Sequence, residues 1–263
     1  MSITTVDGML AGMLPELSVL KVGATTVVGR HYSTFYVAGG AAVAPSPGVA
    51  GAALTSYAGQ IPWVNPVSGN SYIGNFVANC SVVGTLLLCD RLWHNSGLSA
   101  TLTTSQTVNS VTFPARDRTG TTDGHGVIVG FEVSSSMGTG TPTFTLGYTN
   151  SAGASGRSIT TASQSASMAA GSFIPIQLAA GDTGVRSIQS WQLSSSMTSG
   201  AYHLVAYRVL ARLGLPVPNV AVRLNALDAG FRRLYDNTVP FLLWLPATTT
   251  APTINADMTI TQG

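Results

Sequence analysis

Apolar and polar positions alternate in twos along much of this chain. Between Val127 and Ser134, the side chains of Val127, Val129, Phe131 and Val133 fall on one face. Phe144, Leu146 and Tyr148 do the same within 143–149, and Gln189, Trp191 and Leu193 within 188–194. In 201–210 both sides are apolar: His203, Val205, Tyr207 and Val209 on one, Tyr202, Leu204 and Ala206 on the other. A period of two belongs to β-strands, whose successive side chains point to opposite faces. Segments 18–29 and 31–38, rich in Val, Thr, Tyr and Phe, predict two more strands. The unbroken apolar run Ser81–Asp90 predicts a strand buried on both faces. Hydroxyls alternate with apolar residues across 98–113, as in a half-exposed strand, and Val239–Leu245 predicts a last apolar strand.

Turn chemistry separates these runs. Ile61–Asn70, Asp117–Gly126 and Leu215-Pro-Val-Pro218 carry the Gly, Pro, Asn and Asp that turns require. Helical signals are brief. Asp7 predicts the cap of a short helix through Met13 that Pro15 ends, and Leu227–Tyr235 predicts a second carrying Phe231 and Leu234. Residues 39–52 have neither period and read as an arm or long loop lying on a partner or on the domain itself. Residues 247–263 read as an exposed, Thr-rich strand or arm.

These elements predict an all-β protein, a jelly-roll or Greek-key sandwich with extended N- and C-terminal arms. The expected division is an N-terminal arm and strands over 1–60, a sandwich core over 61–213, and a C-terminal strand and arm over 214–263. An internal echo supports two related halves. Phe131-Glu-Val-Ser-Ser-Ser-Met137-Gly-Thr-Gly140 returns sixty residues later as Trp191-Gln-Leu-Ser-Ser-Ser-Met197-Thr-Ser-Gly200.

Composition changes the picture in one respect. Only 8% of the 263 residues are charged while 45% are hydrophobic, against roughly 25% charged in an ordinary soluble domain. Such a chain covers itself with hydroxyls and amides or buries surface in contacts with other chains, and interface cores are depleted in charge. Lys21 is the single lysine beside eleven arginines. Arginine suits buried or interfacial pairing because its planar fork binds carboxylates with two bonds. The net charge of +2 carries no basic stripe, so no nucleic-acid partner is expected. Neither a signal peptide nor a membrane span is expected from the N-terminus or the apolar runs.

Candidate chemistry is sparse. Cys80 and Cys89 lie an odd number of residues apart and predict two small buried thiols rather than a disulfide. The ten carboxylates show no acid–base pairing, and His31, His94, His125 and His203 stand in no metal or nucleophile motif. Asp123-Gly-His125-Gly is the most reactive-looking stretch, yet without a nucleophile it reads as a turn. His94 reads as a hydrogen-bonded histidine at a strand end. Asp182 and Arg186 are spaced to pair across a turn. Trp63, Trp93, Trp191 and Trp244 would make a sugar platform if exposed, although Trp191 and Trp244 lie in core patterns. No catalytic, cofactor-binding or metal-binding residue is expected. Arg116, Arg118, Arg232 and Arg233 are the candidate interfacial anchors.

Three stretches resemble segments of structural proteins of tailed bacteriophages: Gly51-Ala-Ala-Leu-Thr-Ser-Tyr-Ala-Gly-Gln-Ile-Pro62, Gly84-Thr-Leu-Leu-Leu-Cys-Asp-Arg-Leu-Trp-His94-Asn-Ser-Gly and Tyr148-Thr-Asn-Ser-Ala-Gly-Ala-Ser-Gly-Arg157. The resemblance spans roughly 1–213 and is one of phrase and composition. It implies a virion protein made in the bacterial cytoplasm, within that class a head decoration, or cement, protein with a jelly-roll-like sandwich. Its implied partners are the major capsid protein and copies of itself in a homo-oligomer such as a trimer. A tail, baseplate or fibre component with a receptor-binding role is the first alternative, and a carbohydrate-binding or hydrolytic sandwich the second.

Overall fold

The computed structural model describes residues 3, 5–40, 51–225 and 232–263. A helix, α1 (Val6–Ala11), precedes the strands β1 (Leu17–Val22), β2 (His31–Ser33), β3 (Ala38–Gly39), β4 (Ala52–Ala53), β5 (Ser71–Cys80), β6 (Gly84–Ser99), β7 (Ile128–Ser135) and β8 (Phe144–Asn150). There follow β9 (Arg157–Thr160), β10 (Ser172–Pro175), β11 (Val185–Leu193), β12 (Ala201–Leu215), β13 (Val222–Asn225), β14 (Arg232–Leu234), β15 (Pro240–Pro246) and β16 (Thr253–Gln262). The protein is all-β and its strand pairs are antiparallel, as the period of two requires.

The chain separates into two compact units. The first draws on Met1–Val43, Ser56–Cys89 and Val209–Gly263, the second on Ala44–Thr55 and Asp90–Arg208.

In the first unit one sheet runs β13-β5-β16-β1-β3, with β14 also on β5. Its inner face supplies Val19, Ile73, Phe76, Ile254, Met258 and Ile260 to a core completed by Leu86 and Leu88 of β6, Leu213 of β12, and Trp244 of β15. Thr5, not Asp7, caps α1: its hydroxyl accepts from the Gly8 N–H at 3.0 Å, and Asp7 falls in the first turn. The C-terminal stretch expected as an exposed strand or arm is instead an inner strand. β16 lies between β5 and β1, because Ile254, Ala256, Met258 and Ile260 present one apolar face.

In the second unit β12, β7 and β10 form one layer and β11-β8-β9 the other. The residues predicted to share faces do so: Val127, Val129, Phe131 and Val133 meet Phe144, Leu146, Tyr148, Trp191, Leu193, Tyr202, Leu204 and Ala206 in a single core. Phe144 stacks on Trp191 at 4.9 Å and meets Phe131 at 4.6 Å, so the aromatic rings of the echoed segments form the centre. Gln189 departs from the expected face. A bulge between Ile188 and Ser190 shifts the register, so Ile188 is buried and Gln189 is exposed.

The echo has a structural meaning. β7 pairs with β12 and β8 pairs with β11, so each copy's first strand pairs with the other copy's second strand. The two Ser-Ser-Ser-Met connections therefore cross, and they touch. Gly138 N–H donates to Ser199 O at 3.2 Å, Met137 and Met197 are both buried, and a Cβ at Gly140 would overlap Ser196 O. Gly140→Ala is thus expected to lower stability by roughly 1–3 kcal/mol through overpacking. Gly214→Ala, with open space around it, should be near neutral. Thermal unfolding of both variants checks this, and equal melting temperatures would sink it.

Two further expectations fail. Beyond Ser99 the stretch to 113 forms no strand, only an isolated bridge from Gln106 to Trp191. Gln106 exchanges side-chain bonds with Ser99 N–H and Ser99 O at 2.8 Å each, a local alternative to a ladder. Of the helix expected over 227–235, residues 227–231 lie outside the described residues, and Arg232–Leu234 form a strand on Ile73, Tyr72 and Ser71. Pairing to a sheet outweighs a weak local helix preference. Most of the 39–52 loop, residues 41–50, also lies outside the described residues.

Candidate functional site

Strands buried on both faces need a second set of inward side chains, and in the second unit that set is charged. Asp90, Arg91 and His94 of β6, Glu132 of β7, His203 and Arg208 of β12, and Arg116 are all buried. Register places His203 directly across from Glu132. The Arg91 guanidinium grips Glu132 with two bonds, Nη1 to Oε1 at 3.2 Å and Nη2 to Oε2 at 2.7 Å. Arg91 Nη2 also donates to His94 Nδ1 at 2.6 Å. Because arginine only donates, that nitrogen of His94 carries no proton, and the ring is neutral. The His94 and His203 rings lie 4.6 Å apart.

A second node sits beside the first. Arg116 grips Asp90 through Nε at 3.1 Å and Nη2 at 3.2 Å, and donates to Leu54 O at 2.7 Å and Arg91 O at 3.1 Å. Arg208 Nε reaches the same carboxylate at 3.4 Å. Three arginines thus meet two carboxylates beside the two imidazoles. Burial, then the Arg91 charge, then His203 push the His94 pKa far down. Burial also lowers His203, to about 4, with Glu132 pulling up and Arg91 down. Both rings are sealed from solvent, so in this conformation the pair meets no substrate.

The reactive-looking loop is a turn built around Asp117. Its carboxylate accepts from Thr119 N–H, Thr119 Oγ1, Thr121 N–H and Thr121 Oγ1, each at 2.8 Å, and from His125 N–H at 2.9 Å. Burial alone would raise its pKa, but these donors outweigh it and hold the carboxyl at about 2. Gly124 and Gly126 supply the left-handed backbone, with φ of 82° and 71°.

Asp182 and Arg186 do not pair. Asp182 accepts from Tyr148 Oη at 2.5 Å, Asn150 Nδ2 at 2.6 Å and Arg157 Nε at 3.0 Å, which hold it at about 2. Arg186 instead meets Asp123 at 3.1 Å. Turn geometry points the two neighbours toward different loops. The tryptophans form no platform: Trp93, Trp191 and Trp244 are buried, and half-buried Trp63 packs on the first core while its Nε1 donates to Thr238 O. Cys80 and Cys89 are free, buried thiols.

Of the four candidate anchors, Arg116 is buried within its own unit, whereas Arg118, Arg232 and Arg233 are exposed. Arg233 lies over the Tyr235 ring, 4.6 Å from its centroid. Among the described residues no group of three or more His, Cys, Asp or Glu could hold a metal ion. No helix among them is long and apolar enough to cross a membrane. A groove of about 560 Å³ in the first unit is lined by residues such as Val28, His31, Val83, Leu215, Pro216 and Pro246 and offers no reactive pair.

No protein-family model and no curated protein matches the chain. Solved structures do align along it. The infectious bursal disease virus VP2 subviral particle is 10% identical, over 95% of this chain and 80% of that one, with a TM-score of 0.22. T=1 particles derived from the same virus are 9% identical, over 95% of this chain and 77% of that one, at 0.19. Scores this low carry nothing from those capsids to this chain.

The charge cluster was missed by sequence reading. Its signal is visible in retrospect as Asp90, Arg91, His94, Glu132, His203 and Arg208 inside otherwise apolar strands, together with the surplus of arginine over lysine. His94 is hydrogen-bonded as expected, but it lies within β6 rather than at its end, because β6 continues to Ser99.

Proposed function

We propose that the chain is a structural subunit of a virus particle, a head-decoration (cement) protein that binds the major capsid protein and copies of itself. The surface carries this reading. Among the described residues, seven charged side chains are buried: Lys21, Asp90, Arg91, Arg116, Asp117, Glu132 and Arg208. The remaining surface is poorer in charge than the composition suggests, while large apolar side chains such as Val28, Val64 and Val67 stand exposed. Charge used inside and apolar groups left outside are the pattern of a chain that packs against others. The likeness in phrase to tailed-phage structural proteins gives the assembly its class. Arg118, Arg232 and Arg233 are its exposed interfacial anchors. Binding only the assembled shell stabilises that shell by mass action.

Cryo-electron microscopy of the native particle tests this. Density for the chain in many copies on the outer head lattice is the expected result. Density confined to the tail moves the reading to a tail or fibre component. Absence from the particle overturns it.

A further inference from the structure

Around the end of β16 in the first unit, exposed apolar residues gather in one place. Val6 is 64% exposed, Leu10 56%, Met13 46%, Val64 72% and Val67 fully so. Backbone and side-chain bonds knit their segments to one strand end. Thr261 Oγ1 donates to Met9 O at 2.7 Å, Gln262 N–H to Gly12 O at 2.8 Å, and Gln262 Nε2 to Val64 O at 3.0 Å. Gly263 and Asn70 exchange backbone bonds just beyond. α1 and the Val64–Val67 loop therefore flank the same two residues, Thr261 and Gln262. Five large apolar side chains at one strand end exceed the scattered single exposures normal for a surface.

The charges around this patch are segregated. Asp7 lies on α1 and Glu16 follows it before β1, both exposed. On the other side, β13 and β14 bring exposed Arg223, Arg232 and Arg233 onto β5, across from Val77, Ile73 and Tyr72. A shallow recess of about 300 Å³ joins the two sides, lined by Met9, Leu10 and Met13 together with Arg223, Asn225 and Thr259. No ion pair among the described residues joins Asp7 or Glu16 to an arginine. One patch thus holds an apolar centre, a carboxylate side and an arginine side, which makes it complementary to itself.

We infer that this patch binds the same patch of a second copy of the chain. The apolar stripes of α1 and the Val64–Val67 loop pack together, and Asp7 and Glu16 of each copy meet Arg223 and Arg232 of the other. An isologous twofold contact requires this self-complementarity, in which each residue's partner recurs across the axis. The apolar centre supplies the burial, and the charge pairs set register. The inference rests on the reading of the chain as a subunit that packs with its own copies, and it assigns the surface.

Light scattering on the purified chain over a range of concentrations is the test. The wild type should approach twice its 27.0 kDa mass. The double variant Leu10→Asp, Val67→Asp removes no core contact, since both side chains are exposed, and should hold the chain at 27.0 kDa with an unchanged far-ultraviolet spectrum. Asp7→Arg should weaken dimerisation at least tenfold, and adding Arg223→Asp should restore it. A wild type that stays at 27.0 kDa at its solubility limit overturns the inference. So does a double variant that dimerises like the wild type, an outcome that leaves the virion reading intact. A dimer broken by these variants, in a chain absent from particles, overturns the virion reading and keeps the surface.

Discussion

Replacing Glu132 by alanine is expected to lower folding stability by about 3–5 kcal/mol, the range found when one partner of a buried ion pair is removed. That is a large share of the roughly 5–15 kcal/mol that holds a domain together. The Arg91–Glu132 pair is fully buried on both sides, so solvent screens neither charge. Removing the carboxylate leaves a cationic guanidinium beside the neutral His94 and His203. The desolvation of Arg91 is then no longer offset by its two-bond partner. The double variant Arg91→Met, Glu132→Leu removes both charges and fills similar volume. It should recover most of the loss, because a buried pair contributes little net stability over a well-packed apolar one. Urea unfolding of the wild type and both variants decides the matter. A single variant within about 1 kcal/mol of the wild type, below the cited range, would show that the cluster relaxes or takes up water.

Mild acid should loosen the second unit through its buried histidines. Buried His203 titrates at about 4 in the fold, against an unfolded value of about 6.5. Below 6.5 the unfolded chain therefore binds a proton that the folded chain refuses. Stability is full above about pH 6.5 and falls as the pH drops toward 4, where the folded ring also protonates. Two and a half pH units at about 1.4 kcal/mol each put the full loss at roughly 3–4 kcal/mol. His94, lowered by burial and by Arg91, adds to it in the same direction. Asp117 and Asp182, held at about 2, act in a lower window: their contribution is complete above about 4 and is lost only toward pH 2. His203→Gln removes one titrating ring, so its denaturation midpoint should fall less steeply than the wild type's between pH 6.5 and 4. Identical slopes would remove His203 from the account.

The two halves of the second unit's sandwich were legible because burial and period coincide there. Phe131, Phe144, Leu146 and Trp191 alternate with polar or small residues, and all meet in one core. The echoed Ser-Ser-Ser-Met segments likewise announced a repeated strand–connection–strand unit, although not that the copies exchange partners. Gln189 was misplaced because a bulge adds one residue to the count, which no alternation can reveal. The charge cluster was hidden for a related reason: Glu132 and His203 are seventy-one positions apart and become neighbours only through the β7–β12 register.

The sequence by itself determined the all-β class, the inward faces of β7 and β8, the buried free thiols and the scarcity of charge, because each follows from local period or composition. Only the tertiary structure decided that β16 is an inner strand, that Arg116 lies inside while Arg232 and Arg233 lie outside, and that the histidines sit beside Arg91. Those facts depend on which distant strands pair and in what register. Pairing is chosen by the burial of whole faces, and no short stretch of the chain encodes it.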